Sequence, residues 1–190
     1  MKKLVMTVAV LACAASFVSA QVTSVNIVGY NKTTQAGLTL VSVDFDYDAT
    51  GVTPEAVYGS TLPVGSKIYT YTPGVGYATA EYVDSFGSQF WTATPELGGM
   101  GAHWVETSGT PVSIYSGEVN TAGSVTNTLV AGLQLTSWPY PTEVTLSTMG
   151  IVPEVGDKVY TYTPGVGYST SEYVDSFGSQ FWTADPTIKV

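Results

Sequence analysis

The sequence predicts an all-β protein of two tandem antiparallel β-meander units, packed as a sandwich or a barrel-like pair, with one or two short helical turns. Three observations predict this class. Residues 69–95 recur at 160–186, the repeated segment alternates with the period of a strand, and glycine and proline interrupt the chain at short intervals. The 27 repeated positions differ at Ala78/Ser169, Ala80/Ser171 and Thr94/Asp185.

Within the repeat, the alternation begins at 67–72, where Lys67, Tyr69 and Tyr71 share one face of a predicted strand. Pro73 begins a turn that includes two glycines. A return strand at 77–83, a second turn at 84–88 and a third strand at 89–93 complete the meander.

Strands are also predicted outside the repeat, at 25–30, 38–45, 102–107, 112–119 and 132–138. Helix is scarce. The best candidate follows Thr53 as N-cap, with Pro54 at the first helical position and Gly59 as the stop. A second short turn is expected at 143–149.

The N-terminus has the features of a secretory signal peptide. Lys2 and Lys3 precede an apolar run at 4–18, and small residues at 18–20 form a cleavage site, so we expect the mature protein to begin at Gln21. A lipoprotein anchored through Cys13 is the less favoured alternative, because Leu11 stands where a small residue is preferred. The predicted location is secreted or cell-surface, with the periplasm as an alternative.

Removing residues 1–20 leaves a first β unit at 21–122, with an N-terminal strand, and a second at 123–190, incomplete at its C-terminus. The predicted mature part has no cysteine, no arginine and four lysines against 15 acidic residues, a net charge of −11. Such acidity argues against nucleic acid as a partner. No integral membrane segment is predicted after signal cleavage.

Catalytic patterns are weak. His103 is the only histidine, which leaves a Ser-His-Asp mechanism dependent on one strand residue beside Trp104 and excludes multi-histidine metal sites. Glu81 and Asp84 recur as a pair in the second unit, but they lie at a strand end and turn, where exposed acids are ordinary. We therefore expect a protein that is not an enzyme.

A speculative calcium site begins at Asp44. With Asp46, Asp48 and Glu55 it places acids at positions 1, 3, 5 and 12 of a calcium-loop spacing. Ala49 occupies the position where a glycine normally makes the sharp turn. An acidic strand end is the simpler interpretation, and calcium is the one cofactor that the sequence suggests.

Aromatic residues supply the speculative ligand site. Tyr69 and Tyr71 share a strand face, and exposed tyrosines can stack on sugar rings. Two such faces on one chain would gain avidity for a polymer. The simpler interpretation is that these rings fill a β core. The candidate residues are Tyr69, Tyr71, Trp91, Tyr160, Tyr162 and Trp182.

The two copies end differently. After Pro95 the first copy continues through about two further predicted strands, whereas four residues follow Pro186. The second unit would then have an open sheet edge. Three explanations stay open: a truncated product, closure of the edge by the strand at 22–31, or insertion of that strand into a neighbouring copy.

The chain resembles a group of secreted bacterial β-rich proteins of uncharacterised function, which begin near Val-Asn-Ile-Val-Gly-Tyr and carry two such units. The resemblance is carried by residues 26–30 and by Ala-Gly-Leu, Tyr-x-Tyr and Phe-Trp motifs in both units. It implies export and β structure but no catalytic residues. Such proteins usually complete their second unit with a Gly-x-Gly-Phe/Trp strand, which is absent after Val190.

Together these features predict a non-catalytic secreted or cell-surface protein with a structural or adhesive role, self-assembling through the open sheet edge. The alternative is a carbohydrate-binding module that uses its paired aromatic faces. The corresponding partners would be further copies of the chain or an extracellular polysaccharide.

Overall fold

The computed structural model describes residues 28–43, 45–46, 51–98, 100–119, 126–140 and 142–188. The predicted signal peptide and Cys13 lie outside these ranges. The described chain is all-β with one short helix, and its strands pair antiparallel. The sheets do not close into a barrel, so the barrel-like arrangement is not the one adopted.

A five-stranded sheet forms most of the first unit. Its spatial order is β2, β7, β4, β5, β6. The strands are β2 (Gly37–Ser42), β4 (Lys67–Thr72), β5 (Gly76–Ser85), β6 (Ser88–Trp91) and β7 (Ala102–Thr107). The meander predicted from alternation is confirmed, and β7 inserts between β2 and β4, which no local pattern indicated.

A three-stranded sheet completes the first unit. In it, β8 (Val112–Val119) lies between β1 (Val28–Thr34) and β3 (Phe45–Asp46). The strand predicted at 38–45 is therefore divided between two sheets. Because β1 pairs along its length with β8, this part of the N-terminal strand does not close the second unit within the chain.

The helix α1 (Pro54–Tyr58) follows its predicted signals. The Thr53 hydroxyl accepts a hydrogen bond from the Ala56 amide at 3.3 Å, and the chain leaves the helix at Gly59 with a φ of 48°. Pro54 is tolerated at the first position because its missing N–H would have no partner inside the helix.

One core lies between α1 and the inner face of the five-stranded sheet. Strand alternation sends Ile68, Ala80 and Val105 to this face, and each is fully buried. Tyr58 of α1 packs there too, and β3 and β8 contribute apolar contacts from the second sheet. The core consists of Val41, Val43, Phe45, Val52, Val57, Tyr58, Leu62, Ile68, Ala80, Tyr82, Trp91, Leu97 and Val105.

The second unit repeats the meander with β10 (Lys158–Thr163), β11 (Gly167–Ser176) and β12 (Ser179–Trp182). Its registers match those of β4, β5 and β6 residue for residue. Two short strands, β9 (Val144–Thr145) and β13 (Thr187–Ile188), pair with each other.

The strand predicted at 132–138 is wrong, since this segment has no sheet neighbour. Its counterpart β2 pairs with β7, and no counterpart of β7 is present in the described part of the second unit. The segment instead binds the first unit, where the Met100 carbonyl accepts hydrogen bonds from the Ser137 amide at 2.8 Å and the Thr136 hydroxyl at 3.0 Å.

The hairpin between β5 and β6 gives several of the recurring polar residues a common structural role. Phe86 and Gly87 have φ values of 54° and 87°, the signature of a type I′ turn. The Asp84 carboxylate accepts from the Gly87 amide at 2.9 Å and from the Gln89 amide group at 3.3 Å. The second copy repeats these contacts around Asp175, so these polar residues have a turn-forming role.

Candidate functional site

The outer face of the five-stranded sheet carries an aromatic row. Tyr69 on β4 lies opposite Trp104 on β7, and the Tyr71 and Tyr77 rings meet with centroids 5.0 Å apart. Tyr77 is 55% exposed, whereas Tyr69 and Tyr71 are half-buried. The predicted sharing of one face by Tyr69 and Tyr71 therefore holds in the folded sheet.

Trp91 does not join that face. Its side chain is 7% exposed and packs in the core against Tyr82 and Tyr58, with ring centroids 5.2 and 6.4 Å away. Trp91, although a candidate ligand residue, therefore does not present its ring beside Tyr69 and Tyr71, because β6 turns this residue inward. Its counterpart Trp182 is half-buried against Tyr173.

The second unit places two tyrosines against the first. Tyr162 and Tyr168 approach Trp104 edge-on, with ring centroids 4.8 and 6.2 Å away. Trp104 is thereby 5% exposed, although it lies on the outer face of its sheet. Tyr160 stays outside this contact and is about half exposed. Trp104 is not among the site residues predicted from the sequence, although its alternation with His103 and Val105 places it on the outer face of the strand.

A shallow cleft of about 340 Å³ lies where the two aromatic faces meet. The cleft is open to solvent over much of its extent, so that a ligand bound here is only partly enclosed. Rings and one carboxylate line the cleft, which suits stacking and hydrogen bonding to a polar ring. The lining residues are Leu38, Tyr69, Tyr77, Trp104, Glu106 and Tyr168.

Hydrogen bonding governs the electrostatics of this cleft. The Tyr69 hydroxyl donates to the Glu106 carboxylate, and this bond, together with partial burial, raises the pKa of Tyr69 to about 12. Burial raises the pKa of Tyr168 as well. Both phenols therefore stay protonated at neutral pH, and the single O–H of Tyr69 is already donated to Glu106.

His103 lies on the opposite face, in the core. It is 1% exposed, its Nε2 lies 2.7 Å from the Tyr58 hydroxyl, and burial lowers its pKa to about 4. The imidazole is neutral at physiological pH and is sealed from the cleft.

A second feature of functional interest is the edge of the second unit. In the first unit β4 is flanked by β5 and β7, whereas β10 pairs only with β11 among the described strands. The residues next to this edge differ in burial: Ile68 of β4 is fully buried, whereas its counterpart Val159 of β10 is half-buried. The described second unit thus has an open sheet edge next to a partly uncovered apolar face.

The speculative calcium site falls largely outside the described residues. Asp44 and Asp48 lie outside them, and Asp46 is described through its backbone alone. Glu55 is exposed in the first turn of α1. Within the described ranges, no group of three acidic, histidine or cysteine side chains is arranged to hold a metal ion. Calcium binding stays a prediction.

Comparison of the chain with known protein families, curated proteins and solved structures finds no match. Among the described residues, no helix has the length and apolar character needed to cross a membrane. A function for the chain is therefore inferred from the aromatic cleft and the open edge.

Proposed function

We propose that the chain is a non-catalytic secreted or cell-surface β-protein with a structural or adhesive role, which assembles through the open edge of β10. The observation that carries the proposal is the difference between two nearly identical strands. Residues 69–72 of β4 are repeated in β10, yet β4 has two strand neighbours and β10 has one in the described chain.

Unpaired strand edges favour association because their N–H and C=O groups are ready to pair with another strand. The half-buried state of Val159, which lies on β10 itself, adds apolar area that an incoming strand would cover. The predicted signal peptide and the acidic composition support a location outside the cytoplasm, where an assembling β-protein would serve a structural or adhesive role.

The oligomeric state of the purified chain tests the proposal. We expect assemblies by light scattering coupled to gel filtration, and their loss in Val159→Lys, which places a charge on the uncovered face next to the edge. Thr170→Lys is the matched control, because Thr170 is exposed on the adjoining strand β11. A monomer at every accessible concentration would refute assembly.

Export has its own test. N-terminal sequencing of the protein recovered from the culture supernatant should give Gln21 as the first residue. Retention in the cytoplasm with Met1 intact would contradict the location.

Carbohydrate binding is the second candidate, favoured by the cleft beside Trp104. Exposed Tyr77 supplies a ring for stacking, and Glu106 supplies an acceptor for sugar hydroxyls. A glycan array should show bound polysaccharides whose affinity falls at least fivefold in Tyr77→Ala. Phe86→Ala is the control, since Phe86 is fully exposed and does not line this cleft. Silence across the array would remove this candidate.

A further inference from the structure

We propose that the open edge of β10 binds, in antiparallel orientation, an extended polypeptide strand in which an aromatic, a β-branched apolar and an acidic residue follow one another. The inference rests on the proposed use of this edge and specifies the partner that fits it. The first unit provides the template for this inference, because there the equivalent edge, that of β4, is paired with the strand β7.

In the template, β7 pairs with β4 so that Trp104, Val105 and Glu106 lie opposite Tyr69, Ile68 and Lys67, respectively. The three β4 residues have counterparts in β10. Tyr160 corresponds to Tyr69, Val159 to Ile68 and Lys158 to Lys67. Because β10 and β11 repeat the register of β4 and β5, the open edge presents its backbone groups and side chains in the same sequence.

The apolar position faces the core side of the sheet. Val105 and Ile68 are both fully buried in the first unit, whereas Val159 is half-buried. A β-branched residue opposite Val159 would bury apolar surface that is now in contact with water, and it suits the pleated backbone.

The acidic position lies opposite a lysine in the strand register. Glu106 lies opposite Lys67 in β4, and it accepts the hydrogen bond of the Tyr69 hydroxyl. Lys158 is about half exposed and already lies 3.7 Å from Glu172, so an added strand carboxylate would complete the same charge pattern. Cross-strand pairs of opposite charge favour one register over its alternatives.

Symmetric pairing of two β10 strands fits less well. If Tyr160 lay opposite its own copy, Lys158 would face Tyr162, and no acidic residue of β10 would meet the lysine. Within the chain, β7 is held between β2 and β4, and β1 is paired with β8. Neither strand therefore fills the β10 edge of its own chain, and a strand of the β7 type supplied by another molecule is the occupant that the charges and apolar positions favour.

The test is a fluorescein-labelled peptide with the sequence of residues 101–108, Gly-Ala-His-Trp-Val-Glu-Thr-Ser, titrated with the whole chain by fluorescence anisotropy. We expect saturable binding that weakens at least tenfold when the valine of the peptide is replaced by aspartate. Lys158→Glu in the protein should weaken binding at least fivefold, and a peptide with lysine in place of its glutamate should restore it.

Lys32→Glu is the matched control, because it makes the same charge change at an exposed residue of β1. Equal losses in Lys32→Glu and Lys158→Glu, or the absence of saturable binding, would overturn the inference. If the chain forms oligomers but does not bind the peptide, the proposed strand specificity is refuted and the proposed assembly is not. Peptide binding by a monomeric chain would support the specificity and refute self-assembly.

Discussion

At the scale of single residues, the turn between β5 and β6 places a phenylalanine in an unfavourable backbone conformation. Phe86 adopts a φ of 54°, a conformation that glycine and asparagine tolerate far better, and its ring is fully exposed. Phe177 repeats both properties in the second unit. Neither ring contributes to the buried core.

We therefore expect Phe86→Asn to raise the free energy of unfolding by about 1 kcal/mol, because Asn-Gly is the preferred pair of a type I′ turn. Chemical denaturation measures the change. Val75→Asn is the control, since Val75 is also exposed at a hairpin tip but does not have a positive φ. Equal effects of the two substitutions would contradict this explanation.

His103 makes the stability depend on pH. Its native pKa, about 4, is depressed by burial from 6.5, so below pH 6.5 the unfolded chain takes up a proton that the native chain excludes. The free energy of unfolding should fall by about 3 kcal/mol as pH drops from 6.5 to 4, with no contribution from this group above that window.

Urea denaturation of the native chain and of His103→Gln across pH 4–7 isolates this effect, because carboxylate titration is common to both proteins. The difference in unfolding free energy between the two should change with pH in the stated window. Parallel pH profiles would show that the imidazole does not titrate as its burial requires.

At the scale of elements, the same strand behaves differently in its two settings. We expect the backbone amides of β10 to exchange with deuterium faster than those of β4, because β4 has a neighbour on each side. Mass spectrometry of peptides covering both strands measures this. Addition of the 101–108 peptide should slow exchange in β10 but leave β4 unchanged. Equal protection of the free strands would mean that the edge of β10 is already covered.

Local sequence predicted the elements whose signals lie within a few residues. The strand at 67–72, the capped helix after Thr53 and the strand at 102–107 follow from alternation, capping and turn chemistry. The strand expected at 132–138 failed for a physical reason. Its backbone groups need a partner strand, and a segment with strand composition does not form a strand without one.

At the scale of the whole molecule, Trp104 connects the two units. The edge-on contact between Trp104 and Tyr162 should give a coupling energy of about 0.5–1.5 kcal/mol in a double-mutant cycle. The cycle compares Trp104→Leu, Tyr162→Leu and the double variant by chemical denaturation. The cycle of Trp104→Leu with Phe177→Leu is the control and should be additive, because Phe177 is fully exposed. Additivity in both cycles would mean that the units do not interact through these rings.

The β class, the repeat, the meander and the common strand face of Tyr69 and Tyr71 follow from the sequence without reference to the fold. These properties depend on the period of a strand and on turn residues, which are local. The tertiary structure alone decided that Trp91 is buried, that Trp104 meets Tyr162, and that β7 separates β2 from β4. Those contacts join residues far apart in the chain, so their energies depend on packing and strand order, which alternation does not encode.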